Sequence, residues 1–259
     1  MAMTPTETVN HWPESKCAKA FWGQHELPPY KRLLGDTIAW CDPRPGQRWL
    51  DLGCGCGQLT TALWLKSQGR LRQVVGLDVA AVNAVAFERL RDVVQPPATA
   101  EQIAFHQADF SSGLGSFADS QFDGAVSGLA IQYAESFDAD AGGWTKDAYD
   151  HLLREVRRVL RPGGWFVFSV NVPDPAWGRV ALAALTGLWR APKMTRFVKN
   201  SLRMWRYGSW LSKEARRGRF HYLPVDEIVR RLGAAGFEQI DHRLSYAKQA
   251  YVMRCQKPA

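Results

Sequence analysis

The chain has little cysteine: five residues in 259, at positions 17, 41, 54, 56 and 255. The count is odd and the spacings form no framework, which argues against a disulfide-stapled secreted fold and for a reducing compartment, the cytoplasm. No run of eighteen apolar residues exists, the longest being "VALAALTGLW" at 180–189, so no membrane-spanning helix is expected. The opening "MAMTPTETVNHWPESK" lacks the apolar stretch of a signal peptide. There are no internal repeats and no low-complexity tract, which excludes solenoids and arrays. What remains is an ordinary globular composition, 46% hydrophobic and 22% charged, of a size suited to one α/β domain with an insertion.

The net charge of +8 is concentrated in one place. Residues 176–222 hold eleven lysines and arginines against a single acid, Glu214, giving that segment +10 and the rest of the chain −2. A near-neutral body therefore carries one basic insertion.

Along the chain, apolar runs of strand type alternate with helical periodicity. "RWLDL" (48–52), "QVVGLD" (73–78), "IAFHQAD" (103–109), "FDGAVSG" (122–128) and "WFVFSV" (165–170) read as buried strands. Helices fall between them, the plainest being "KDAYDHLLREVRRVL". Continuous apolar strands separated by helices predict a parallel sheet covered on both faces. The alternation stops after Pro173 for about fifty residues, then resumes with a helix at 224–236. "FEQIDHRLSY" and "KQAYVMRCQ" follow, joined so tightly near Ala247 that they should pair antiparallel. The expected organisation is a helical cap (1–45), a core (46–172), a helical insertion (173–222) and a closing helix with hairpin (223–259). In the cap, "ESKCAKAFWGQ" reads as a helix broken by Pro28-Pro29 and resumed by "YKRLLGDTIAW".

"DLGCGCGQ" (51–58) joins the first strand to a helix and admits several readings. A metal site would need more soft ligands than Cys54 and Cys56, with no further cysteine nearby. A dinucleotide cradle wants G-x-G-x-x-G, yet Gln58 stands at the third glycine, and the next strand-end acid, Asp78, lies 27 residues beyond Asp51 rather than about 20. A bare structural turn also fits, because glycine at such junctions serves packing alone. The cysteines are then small fillers. Strand-end acids such as Asp78 and Asp109 would in that case only cap the next helix.

Taken together, "WLDLGCGCGQ", "VVGLDVA", "FHQADF", "FDGAVSGLAIQY" and "LREVRRVLRPGGWFVFS" resemble the class I S-adenosylmethionine-dependent methyltransferases over roughly 45–170 and again over 224–255. The resemblance implies a Rossmann-like seven-stranded sheet, mostly parallel and ending in an antiparallel hairpin, with adenosylmethionine as methyl donor. Gly53, Gly55 and Gly57 would let the backbone approach the ligand without a Cβ between them, with Cys54 beside them. Asp51 would orient the loop and help bind the amino group. Asp78 would take the two ribose hydroxyls, Val79 lying beside it. Asp109 and Phe110 would meet the adenine. Ser127, Gly128 and Leu129 would line the methionine end.

These motifs do not identify the acceptor, because displacement at a sulfonium asks mainly for alignment. The cap and insertion must carry it. The insertion mixes basic residues with tryptophans and tyrosines, and "WGRVALAALTGLWRAPKMTRFVKNSLRMWRYGSWL" reads as two helices around "APK". It fits a lid over a small aromatic or amphiphilic acceptor, methylated on oxygen or carbon, as in the similar ubiquinone and menaquinone-type enzymes. Peripheral contact of 176–222 with an anionic membrane, to reach a lipid or quinone, is a second reading. An RNA patch is a third, disfavoured by the interleaved apolar pattern. A non-catalytic adenosylmethionine-binding module is a fourth. The asparagine-proline-proline-tyrosine signature of amino-group methylation is absent, "SGLAIQY" standing in its place. His221, where insertion meets core, is the first candidate for a general base, and Tyr133 the second. Trp22, His25, Tyr30, Trp177 and Tyr222 are candidate acceptor contacts, though each could equally be packing.

Overall fold

The computed structural model describes Trp12 and Pro13, residues 27–185 and residues 207–259. Helix α1 (Pro28–Ala39) begins on the two prolines rather than after them. Proline lacks the N–H that the first helical turn leaves unused, so it serves there as a starter. The expected helix at 14–24, with Trp22, and the neighbouring His25 lie outside the described residues. So does 186–206, which holds six of the insertion's eleven basic residues.

From α1 the chain runs through β1 (Arg48–Leu52), α2 (Gln58–Lys66), β2 (Gln73–Asp78), α3 (Asn83–Val93), β3 (Ile103–Gln107) and β4 (Phe122–Gly128). A small antiparallel pair, β5 (Ser136–Asp138) and β6 (Gly143–Thr145), precedes α4 (Asp147–Val159) and β7 (Leu160–Asn171). The insertion supplies α5 (Trp177–Leu185) and a second helix, α6, at 207–216. Helix α7 (Val225–Ala234) and the hairpin β8 (Glu238–Ser245) and β9 (Ala250–Gln256) complete the chain.

Among the described residues, seven strands form one sheet in the order β3-β2-β1-β4-β7-β9-β8. The first four pairings are parallel and the last two antiparallel. Side chains alternate between the faces with period two. Leu50, Leu52, Phe166 and Phe168 pack with α4 and α7, while Trp49, Val126 and Val167 pack on the other side with α1, α2 and α3. Covering both faces explains the near-continuous apolar strands. Three local expectations change. β7 is longer than the apolar run because it begins at Leu160, which pairs with Phe122 before the register shifts past "RPGG" to Trp165; β3 stops at Gln107, and the β5–β6 pair arises from a stretch without alternation.

The order reverses between β1 and β4, because β2 and β3 lie to one side of β1 and β7 to the other. Outside the carboxyl ends of two such strands a crevice is unavoidable. The insertion roofs it. Trp177 Nε1 donates to Ser212 Oγ at 2.8 Å, tying α5 to α6, and Gly208 lies so close to the Trp177 ring that a Cβ would stand 2.7 Å from it. Gln249, at the tip of the last hairpin, accepts from the Ala176 N–H through Oε1 and so anchors the start of α5.

Candidate functional site

An open cleft occupies the crevice. Its floor is the turn between β1 and α2. Gly53 (φ +65°), Gly55 (φ +52°) and Gly57 (φ +85°) all take the left-handed conformation that favours glycine. Only the first two face the cleft, since a Cβ on Gly57 would strike Leu90 in the core. A Cβ on Gly53 would meet the Ala130 Cβ at 2.2 Å, with Phe110 next at 3.4 Å, so segments following β1, β3 and β4 converge on this glycine. At Gly55 the same Cβ would enter open space.

Asp78 holds the turn in place. One carboxylate oxygen accepts from the Gly55 N–H and the other from the Ala80 N–H, each at 2.9 Å. Burial pushes its pKa up, and these bonds oppose the rise. Asp109 lines the cleft further along and accepts from the Ser111 N–H. Val79, Phe110, Gly128, Leu129 and Cys54 line it as well. Leu129 is left-handed (φ +53°), a costly conformation for a branched side chain, held by its N–H bonding to the Ser169 carbonyl and hydroxyl.

Asp51 and Ser127 lie behind the wall and do not line the cleft. Asp51 shares the Trp49 face of β1, where Oδ2 accepts from the Thr60 N–H and hydroxyl and so fixes the start of α2. Its Oδ1 is buried without a hydrogen-bond partner, and burial lifts the carboxyl to a pKa of about 7. The Ser127 hydroxyl donates to the Leu52 carbonyl, stitching β4 to β1.

On the β4–β7 side the cleft is aromatic. Tyr30, Tyr133 and Trp177 line it, joined by Trp12, Leu211 and Tyr246, which the sequence did not single out. Tyr246 reaches the cleft from the left-handed turn at 246–248, and only the tightness of that connection was legible beforehand. Tyr222 stands behind Tyr133, the two hydroxyls 3.1 Å apart. Burial pushes Tyr133 up to about 12 and raises Tyr222 well above its ordinary value. Asn171, also missed, ends β7 in the same wall, and its Oδ1 is buried without a partner.

His221 is not brought to the cleft. Its ring packs on Tyr149, and Nε2 lies 2.7 Å from the Ala134 carbonyl, to which a neutral imidazole donates. Burial lowers its pKa from 6.5 to about 4, which suits a structural histidine and not a base working near neutrality. The unfolded chain takes up this proton near pH 6.5 and the folded one only near pH 4. The histidine's stabilisation is thus complete above 6.5 and shrinks by about 3 kcal/mol as the pH falls to 4. Asp51 works in the opposite sense, because a carboxyl raised to about 7 favours the folded state at low pH. Comparing wild type with His221→Gln cancels the Asp51 contribution. The stability gap in urea melts should narrow by about 3 kcal/mol between pH 7 and pH 4; a gap independent of pH would contradict a buried neutral imidazole.

Residues 50–168 match a family model described as a methyltransferase domain. The biotin biosynthesis bifunctional protein BioHC of Teredinibacter turnerae is 32% identical over 149 residues, which are 56% of this chain and 22% of that protein. The 2-phytyl-1,4-naphtoquinone methyltransferase of Synechococcus elongatus is 32% identical over 143 residues, 55% of this chain and 51% of the other. The matches thus span about half of these curated relatives or less. Among solved structures, an S-adenosylmethionine dependent methyltransferase from Mesorhizobium loti superposes with a TM-score of 0.54 at 20% identity, covering 86% of this chain and 96% of the other. That likeness is one of fold.

Proposed function

Residues 50–168 are a domain of the class I S-adenosylmethionine-dependent methyltransferase family, and from that premise we propose that the chain transfers a methyl group from S-adenosylmethionine to a small aromatic or amphiphilic acceptor, on oxygen or carbon. The observation that carries this reading is one cleft that runs from the glycine turn, past Asp78 and Asp109, to an aromatic wall.

The residues suit the methyl donor. The Cβ-free surface at Gly55 admits a ligand against the backbone. The Asp78 carboxylate, which accepts from the Gly55 and Ala80 N–H groups and from the Asn83 side chain, lines the cleft where it would meet a ribose hydroxyl. Asp109 and Phe110 stand where the adenine would lie, and Gly128 and Leu129 where the methionine part would pass. Asn171 Oδ1, buried and unpartnered in the cleft wall, calls for a donor that a bound ligand would bring. The donor supplies a methyl group on a positively charged sulfur, which a nucleophile displaces directly. The chain's part is to align the two partners, keep water out with Trp177 and Leu211, and select the acceptor. The name of the Synechococcus relative makes reduced naphthoquinones sensible first acceptors to assay.

Calorimetry with S-adenosylhomocysteine tests the donor site. Asp78→Ala should weaken binding by about 1.5–3 kcal/mol, the range for hydrogen bonds to a charged group. No binding to wild type at millimolar ligand refutes the site, and unchanged affinity in the variant refutes the ribose contact. Methyl transfer across a panel of quinols, phenols and carboxylic acids separates an enzyme from a module that only holds the donor.

A further inference from the structure

Among the described residues, the cleft's acceptor side holds hydrogen-bond donors but no base. Among the described residues lining the cleft there is no histidine, lysine or arginine, and its carboxylates, Asp78 and Asp109, follow β2 and β3 at the opposite end. Next to β4 and β7 the ionisable groups are phenols. A nucleophile with a firmly held proton would find nothing here to remove it.

The phenols form an ordered chain. The Tyr133 and Tyr222 hydroxyls lie 3.1 Å apart and either can donate to the other; with the Asn171 side chain bonded to Tyr222, the arrangement in which Tyr222 donates leaves the Tyr133 proton unused. The Gln132 amide donates to the Tyr133 oxygen as well, and Gln132 is itself fixed, its Oε1 accepting from the Asn171 N–H. With its oxygen accepting from two sides, Tyr133 has one proton left to give, and Tyr133 lines the cleft. Its ring cannot swing away, being packed against Trp12 at 4.7 Å and Phe220 at 4.9 Å. Both phenols are protonated at neutral pH, and burial holds the proton more firmly still.

We propose that this site takes an aromatic acceptor already ionised, as a phenolate, and that Tyr133 is the specificity-determining donor whose O–H binds the oxyanion. The inference rests on the methyltransferase reading above. A phenolate needs a positive partner in a wall whose described residues include no cationic side chain, and the sulfonium of the methyl donor supplies it, so the acceptor binds well only after the donor. The transfer then needs no base. An electron pair of the phenolate oxygen forms the new C–O bond while the S–C pair returns to sulfur, and anion and cation become two neutral products. If a ring carbon conjugated with the oxyanion attacks instead, the hydrogen it carries leaves afterwards as a proton to water.

The test uses 4-nitrophenol, whose phenol and phenolate absorb at different wavelengths, with sinefungin, which carries a cationic amine near the sulfonium position. Absorbance titrations at a pH below the phenol's own pKa should show the bound probe ionised, with binding strengthened by sinefungin. Tyr133→Phe should lose the phenolate spectrum and weaken the probe roughly ten- to a hundredfold, with S-adenosylhomocysteine affinity unchanged. Tyr222→Phe removes only the support behind Tyr133 and should lose part of the effect. A probe bound as neutral phenol, a probe that does not bind, or a Tyr133→Phe protein with the wild-type spectrum overturns the proposal. In each of those cases retained S-adenosylhomocysteine binding leaves the donor site standing, whereas its absence from wild type strikes the methyltransferase reading itself.

Discussion

Gly53→Ala should destabilise the protein by about 2–5 kcal/mol and remove S-adenosylhomocysteine binding. The methyl group would meet the Ala130 Cβ at 2.2 Å, a contact with no flexible side chain to yield. Overpacking of this kind costs about 1–3 kcal/mol, and the left-handed backbone adds about 1–2 for a residue with a Cβ. The turn must therefore open, and opening it separates Gly53 from the ends of β3 and β4, whose following residues would enclose the donor. Gly55→Ala is the informative contrast. Its φ is equally positive, but the new Cβ would point into empty space within the cleft. Its stability should fall by only about 1 kcal/mol, while donor affinity falls by tenfold or more because the methyl occupies the approach to the backbone. Urea melts and calorimetry on the two variants read these effects separately. Normal donor affinity in Gly55→Ala would refute backbone contact at that glycine.

This contrast marks where the sequence was legible. The parallel strands, the helices between them and the final antiparallel hairpin follow from period and run length, because a sheet buried on both faces writes itself as uninterrupted apolar runs, whereas the strand order does not. Placement of the motif residues followed less well. Asp51 is the penultimate residue of β1 and Asp78 the last of β2, both beside the glycine turn, yet Asp51 faces helix α2 and Asp78 the cleft side. That difference depends on where each strand stops relative to its pleat, which a spacing rule does not carry. The acceptor wall was the least legible. Trp12, Asn171 and Tyr246 come from sites far apart in the chain and meet only because β7, the hairpin tip and the early segment end at one place. His221 is the opposite case: proximity in sequence to the insertion suggested chemistry, and packing against Tyr149 made it a core residue. Arg219, counted among the basic residues of the insertion, is also buried.

Arg219→Met should be the most damaging single change in the insertion. The guanidinium is 8% exposed and bridges two carboxylates of similar burial. Nε donates to Glu135, which follows β4 on the core, and Nη1 lies 3.6 Å from Glu214 of α6. It also packs over the ring of Trp144 in β6. One side chain thus joins the roof of the cleft to the body beneath it. Burial raises the Glu135 pKa and nearby Asp109 raises it further; Arg219 is the main opposing influence. Removing one partner of a buried ion pair costs about 3–5 kcal/mol, because the charge left behind has lost its solvent and its counterion. The loss should appear in urea melts at pH 7 and be smaller at pH 5, where the stranded carboxyl takes up a proton. Arg219→Met with Glu135→Gln should recover most of the stability, since a neutral amide tolerates the same site. A double variant as unstable as the single one would show that the damage comes from lost packing on Trp144 and Phe220, not from an unpaired carboxylate.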